Sequence, residues 1–254
     1  MSSRKVLVHD DKQALIDAVA DRFILKVAEL LAERDRVNVV LTGGSVGIAS
    51  LAAIRSRDAG RIDWARVVVW WGDERWVPAA DPDRNELQAR QALLDHVPLE
   101  AANVHPFPAS DQGMDLDSAA AAYAAELAAA AAGGETVPEF DITFLGVGPD
   151  GHIASLFPDY PGIQVQDATV VPVLNSPKPP PERLSLTLPV INSSARVWLV
   201  IAGADKASAL GLALAGASQL EVPVAGVDGR YRTVFFVDAE AAAEVPDDLI
   251  AAEY

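Results

Sequence analysis

The sequence predicts an α/β fold, a three-layer sandwich in which a mainly parallel sheet is covered by helices on both faces. Three observations lead there. Short apolar runs alternate with segments of helical periodicity, as in successive βαβ units. Runs such as residues 37–41 (VNVVL) and 66–71 (RVVVWW) are apolar throughout, as strands buried on both sides must be. Glycine-rich turns directly follow several of these runs.

Taken in order, residues 11–34 read as a helix. Leu15, Val19, Phe23, Val27 and Leu30 or Leu31 recur at helical spacing behind Asp10 or Asp11, either of which can cap it. Residues 37–41 read as a buried strand, then come the turn TGGSVG and a helix over 46–54. Residues 66–71 are a second buried strand, followed by GDERWVP. In DPDRNELQARQALLDHV, proline and an aspartate cap open another helix. Residues 115–132 form a long alanine-rich helix that Gly133 and Gly134 stop. Residues 140–145 (FDITFL) are a third strand, followed by GVGPDGHIASLFP. The segment NSPKPPPERL, with its four prolines, must be an extended or turning loop. Residues 184–188 (LSLTL) alternate as a strand does. Residues 196–201 (RVWLVI) are another buried strand, after which GADKASALGLALAG reads as loop then helix. Residues 233–237 (TVFFV) are the last strand. No long linker divides the chain, so one domain over residues 1–254 is expected, with a small subregion around 160–190.

Composition narrows the function. Half the residues are hydrophobic, enough for a substantial core. No apolar run approaches the ~18 residues of a membrane helix, and the N-terminal MSSRKVLVHDD turns charged before a secretory h-region can form. There is no cysteine, which excludes disulfides, thiolate metal sites and a cysteine nucleophile. A cytoplasmic protein, monomeric or weakly homo-oligomeric, is expected. The net charge of −16 argues against nucleic acid as a partner. It also repels anionic metabolites, so a phosphorylated ligand needs basic residues converging locally. With only five lysines, the position of each is informative.

In open parallel sheets, ligands bind beyond the carboxyl ends of the strands. Residues 42–47, 72–78, 146–158 and 203–206 each follow a predicted parallel strand, which places all four on one edge. Gly43, Gly44 and Ser45 suit a phosphate, because glycines admit close backbone approach and the next helix aims its free amides at an anion. The competing reading is a glycine turn needed only for tight geometry. Asp73, Glu74 and Arg75 follow the second strand. Arg75 can bind a phosphate or a developing oxyanion, or these residues form a structural acid–arginine pair at the rim. His9, His96 and His105 lie beside element ends, where surface or capping roles suffice. His152 alone sits in a glycine-rich loop beyond a buried strand. Histidine can take a proton from water at cellular pH, and Asp150, two residues earlier, can orient the ring. Lys206 falls at a predicted helix start, where the dipole disfavours a cation unless an anion binds. A solvated lysine reaching away is the alternative. Lys178 and Arg183, in the proline-rich loop, are further basic candidates.

The segments LTGGSVGIASL, WWGDERWVP, DRNELQARQALLDHV, FLGVGPDGHIASLFP and PPERLSLTLPVINSSARVWLVIAGADKASAL together resemble the glucosamine-6-phosphate isomerase/6-phosphogluconolactonase family, in its lactonase version. The match runs in order from about residue 6 to residue 237. The resemblance implies a Rossmann-like sheet and hydrolysis of 6-phospho-D-glucono-1,5-lactone to 6-phosphogluconate, the second step of the oxidative pentose phosphate pathway. It implies His152 as general base, with the Gly43–Gly44–Ser45 turn, Arg75, Arg183 and Lys206 around the substrate. We therefore expect His152, Asp150 and Arg75 to be catalytic, and Gly43, Gly44, Ser45, Asp73, Arg183 and Lys206 to bind the phosphorylated sugar lactone. Neither a metal nor another cofactor is expected, since no H-x-x-x-H or H-E-x-x-H spacing exists. The nearest rival is an aldose–ketose isomerase or deaminase of amino-sugar phosphates, in which Asp73 would move a proton at C2. A non-catalytic sugar-phosphate sensor would have no need of His152.

Overall fold

The computed structural model describes residues 3–58 and 60–254. The first half runs β1 (Ser3–His9), α1 (Lys12–Glu33), β2 (Val37–Leu41), α2 (Gly44–Arg57), β3 (Val67–Trp71), β4 (Asp73–Arg75), α3 (Asn85–Ala92), β5 (Val104–His105) and α4 (Leu116–Ala130). The second half runs β6 (Ile142–Leu145), β7 (Val170–Val173), β8 (Arg183–Leu186), α5 (Leu188–Asn192), β9 (Arg196–Ile201), α6 (Ala207–Leu214) and β10 (Arg232–Asp238).

Seven strands form a parallel sheet in the order β1-β10-β9-β6-β2-β3-β5. The chain builds outward from β2 through β3 and β5, then returns to the other side of β2 with β6, β9 and β10. The connections leaving β2 and β6 therefore diverge, which opens a crevice beyond the carboxyl ends of these two neighbours. Helices cover both faces. On one, Phe23 of α1 packs against Trp64 and Phe144, and Phe144 meets Trp198 edge-on. On the other, Trp70 stacks on His105 and meets Tyr123 of α4 edge-on. The helical period of α1 is read out directly, since Leu15, Val19, Phe23, Val27 and Leu30 are all buried. Asp11 is its cap, accepting from the Ala14 amide at 2.8 Å. No helix among the described residues is long and apolar enough to cross a membrane.

Several expectations are corrected. Residues 73–75 carry no element of their own in the sequence reading, beyond following the second strand. They form β4, which joins β8 and β7 in a separate antiparallel sheet, order β4-β8-β7. Three charged residues give no strand signal, and only pairing with β8 makes them one. The strand expected over 184–188 is β8, and it stops at Leu186 because Leu188 and Pro189 begin α5. Nor does α3 have an aspartate cap. Arg84 occupies the cap position but its side chain does not cap the helix amides, and Glu74 from β4 accepts from the Asn85 and Glu86 amides instead. The alanine-rich helix ends at Ala130, before the glycine pair, where Ala131 is already extended. Gly133 and Gly134 take φ of 67° and 84° in the turn that follows.

Candidate active site

The crevice between β2 and β6 is walled by the segments expected to meet there. After β2, Gly43 caps α2 in extended conformation and contributes no side-chain bond, while Gly44 takes φ of 81°. The first amides of α2 are thus left without a capping side chain at the cleft. A Cβ on Gly43 would lie 1.9 Å from Asn85 Oδ1, so the position has no room for a side chain.

After β6 the chain turns back on itself. The Gly148 amide donates to the His152 carbonyl at 2.9 Å, and Gly151, at φ 80°, donates to the Gly148 carbonyl. This turn lays His152 over Gly148. The His152 ring packs on Phe157, and its Nδ1 lies 2.6 Å from Asp150 Oδ1. Lys178 Nζ stands 3.3 Å from the same Nδ1 and 3.5 Å from Asp150 Oδ1. The carboxylate accepts, so Nδ1 carries the proton, and the ammonium acts on the pair through its charge. Burial alone would raise the Asp150 pKa. The His152 hydrogen bond and the charges of His152 and Lys178 outweigh it and hold the carboxyl well below its usual range. Asp150 therefore stays ionised wherever the protein is folded at ordinary pH.

From β4, Asp73 is buried, its Oδ2 accepting from Ser155 Oγ at 2.8 Å. The acid–arginine pair of this segment is Glu74 with Arg84, 4.0 Å apart and both buried, rather than a pair with Arg75. Glu74 also accepts from the amides of Arg75, Asn85 and Glu86, which ties β4 to the start of α3. Arg75 donates from Nη1 to the Asp83 carbonyl, and its Nε is buried without a partner. Burial pushes Glu74 up to about 7 against the pull of Arg84 and the three amides. A carboxyl raised in this way favours the fold fully below its unfolded value of 4.5, and that contribution is lost as pH rises through about 7. Thermal unfolding across this window should show a downward slope in wild-type Tm that Glu74→Gln flattens.

Arg183 is buried and spends Nε on the Pro180 carbonyl at 3.1 Å and Nη2 on those of Pro179 at 2.8 Å and Lys178 at 3.3 Å. Only Nη1, 3.5 Å from Ser155 Oγ, remains toward the cleft. Arg183 thus braces the loop that carries Lys178. Lys206 caps α6 and pairs with the exposed Asp205 at 2.9 Å. Asp73, Arg75, His152, Lys178, Arg183 and Lys206 line one cleft with the Gly43–Gly44–Ser45 turn, about 240 Å³ in volume, just under the ~300 Å³ at which drug-sized pockets begin. Its wall holds four cations, Arg75, Lys178, Arg183 and Lys206, against the single carboxylate of Asp73. This locally reverses the overall charge of −16. The other histidines lie elsewhere. His105 bonds Glu126, His96 contacts the Gln91 carbonyl, and His9 stacks on Phe236.

Two features of the cleft escape the sequence reading. Asn85 lines the wall, although nothing in its spacing marks it. Gly43 to Gly47 also satisfies G-x-S-x-G between a strand and a helix, the spacing of a serine nucleophile elbow. The geometry is not that of an elbow, because the positive φ falls on Gly44 and Ser45 lies in the first turn of α2.

A parallel sheet with a glycine turn and a His–Asp pair at its switch point defines an α/β protein whose cationic cleft is lined by an imidazole. Residues 10–236 match the model of the glucosamine-6-phosphate isomerases/6-phosphogluconolactonase family, and the chain belongs to that family. A 6-phosphogluconolactonase of Streptomyces coelicolor is 50% identical over 252 residues, 96% of each chain. One of Mycobacterium tuberculosis is 46% identical over 246 residues, 96% of this chain and 99% of its own. The structure of the 6-phosphogluconolactonase from Trypanosoma brucei superposes with a TM-score of 0.82 at 26% identity, covering 97% of this chain and 100% of that one.

Proposed function

We propose that this chain hydrolyses 6-phospho-D-glucono-1,5-lactone to 6-phospho-D-gluconate, in the oxidative pentose phosphate pathway, by general-base activation of water at His152. Family membership and the 50% identity to a 6-phosphogluconolactonase support the reaction. The observation that carries the mechanism is the 2.6 Å His152–Asp150 contact on a cleft that the Gly43–Gly44 turn also lines.

Asp150 engages Nδ1–H, which leaves Nε2 to take a proton from water. The water oxygen bonds to C1 as the carbonyl opens to an oxyanion. Arg75 or the amides of the glycine loops stabilise that charge, and one such donor is typically worth about 3 kcal/mol. The carbonyl then re-forms, the bond from C1 to the ring oxygen breaks, and the proton on Nε2 passes to that oxygen. Attack is direct, without an acyl-enzyme. The phosphate lies at the start of α2, on Gly43, Gly44 and Ser45, with Lys206 and the remaining Nη1 of Arg183 as its cationic partners. Held there, it orients C1 against the imidazole. Asp73 faces the sugar between these two ends. Localisation is cytoplasmic, and the protein acts as a monomer or weak homo-oligomer.

Because Lys206 holds the ground state as much as the transition state, Lys206→Ala should raise KM about tenfold or more with little change in kcat. A fall in kcat alone would move Lys206 to the chemical step. The position of Asp73 in the wall keeps one second reading, proton transfer at C2 of an amino-sugar phosphate. Ammonia release from glucosamine 6-phosphate, with no acceleration of lactone opening over the uncatalysed rate, would establish that reading in place of ours.

A further inference from the structure

One buried polar group in the cleft takes no part in the steps above. Asn85 is 1% exposed and opens α3. Its backbone is fixed by Glu74 at 2.7 Å, and its Nδ2 donates to the Asp73 carbonyl at 3.0 Å, with Asp73 Oδ1 at 3.4 Å. That contact sets the amide orientation, since a flipped amide would bring Oδ1 against the carbonyl, acceptor to acceptor. Oδ1 therefore stands over the bare Cα of Gly43 on the cleft wall, and it is buried without a hydrogen-bond partner. A buried acceptor in this state needs a donor. The phosphate and carbonyl oxygens of the substrate are acceptors themselves. The donors of a phosphorylated gluconolactone are its ring hydroxyls at C2, C3 and C4.

We propose that Asn85 is a specificity-determining residue, whose Oδ1 accepts a hydrogen bond from one ring hydroxyl of the phosphorylated lactone and so rejects sugars that lack it. The proposal rests on the lactonase reading and adds to it which part of the substrate lies along β4. The polyol edge runs along Asp73 and Asn85, while the phosphate takes the start of α2 and the cations. Gly43 is then constrained twice, by the helix start and by the amide it must admit.

The test compares kcat/KM for the parent lactone and its 2-, 3- and 4-deoxy analogues. In the wild type, one deoxy lactone should fall by about tenfold or more. Asn85→Ala should lose a similar factor on the parent, show no further loss on that analogue, and keep the wild-type ratios for the other two. A common factor across all four lactones would assign Asn85 a structural role and overturn the proposal. So would a wild type indifferent to every deoxy analogue. If Asn85→Ala does not fold, Asn85→Ser is read by the same ratios. A wild type that opens no lactone defeats the reaction itself. Calorimetric binding of 6-phosphogluconate and its deoxy analogues would still show whether one hydroxyl is read at Asn85.

Discussion

His152→Ala should lower kcat for 6-phosphogluconolactone by about 10²- to 10⁴-fold, the usual range for a positioned general base, with the Kd for 6-phosphogluconate near its wild-type value. The separation follows from the layout. The imidazole stands on the loop after β6, whereas the groups assigned to the phosphate stand on the start of α2, at Lys206 and at Arg183 of β8. Removing the ring leaves those contacts in place. It also leaves Asp150 and Lys178 as neighbours 3.5 Å apart, so no buried charge is stranded. The lactone opens spontaneously in water, so rates must be taken on freshly made substrate and corrected for that background. A kcat equal to wild type would remove His152 from the chemistry.

Gly148→Ala should be nearly as damaging, although it deletes no functional group. A Cβ at this position would fall 1.9 Å from His152 Nδ1, 2.1 Å from its Cε1 and 2.4 Å from Asp150 Oδ1. These distances lie far inside van der Waals contact, so the ring or the carboxylate must leave. Gly148 is not among the positive-φ glycines, so its backbone accepts alanine. The side chains that must move are partly exposed, at 15% for His152 and 35% for Asp150, and they can swing into the cleft without unpacking the core. The expected result is a loss of about 10²-fold or more in kcat, a Tm close to wild type, and a changed imidazole resonance for His152 in the ¹H–¹⁵N spectrum. Full activity would mean that the ring does not rest over Gly148 in solution.

These predictions rest on a site that was partly legible in the sequence. Strands β2 and β9 coincide with residues 37–41 and 196–201, because strands covered on both faces leave unbroken apolar runs. The glycine turns identify themselves by following such runs, and the clustering of four loops on one edge needs only a parallel sheet. What stayed hidden depends on tertiary contact. Asp73, Glu74 and Arg75 become a strand only through β8. In β7, Pro172 interrupts the apolar signal, and the strand survives at the edge of the small sheet. The cap of α3 comes from a carboxylate in another element, which no local pattern can announce. Arg183 looks from sequence like one more cation for a phosphate, yet most of its donors go to the carbonyls of the proline-rich loop. Asn85 is an ordinary helix-start residue until Gly43 and Asp73 are placed beside it.

The dependence of log kcat/KM on pH, measured for the wild type and for His152→Ala, reports the ionisation of the free enzyme's essential base. The wild type should lose activity on the acid side in a single one-proton step, with no second step from Asp150, and that limb should be missing from the residual activity of the variant. An acid limb that survives intact in His152→Ala would show that another group activates the water.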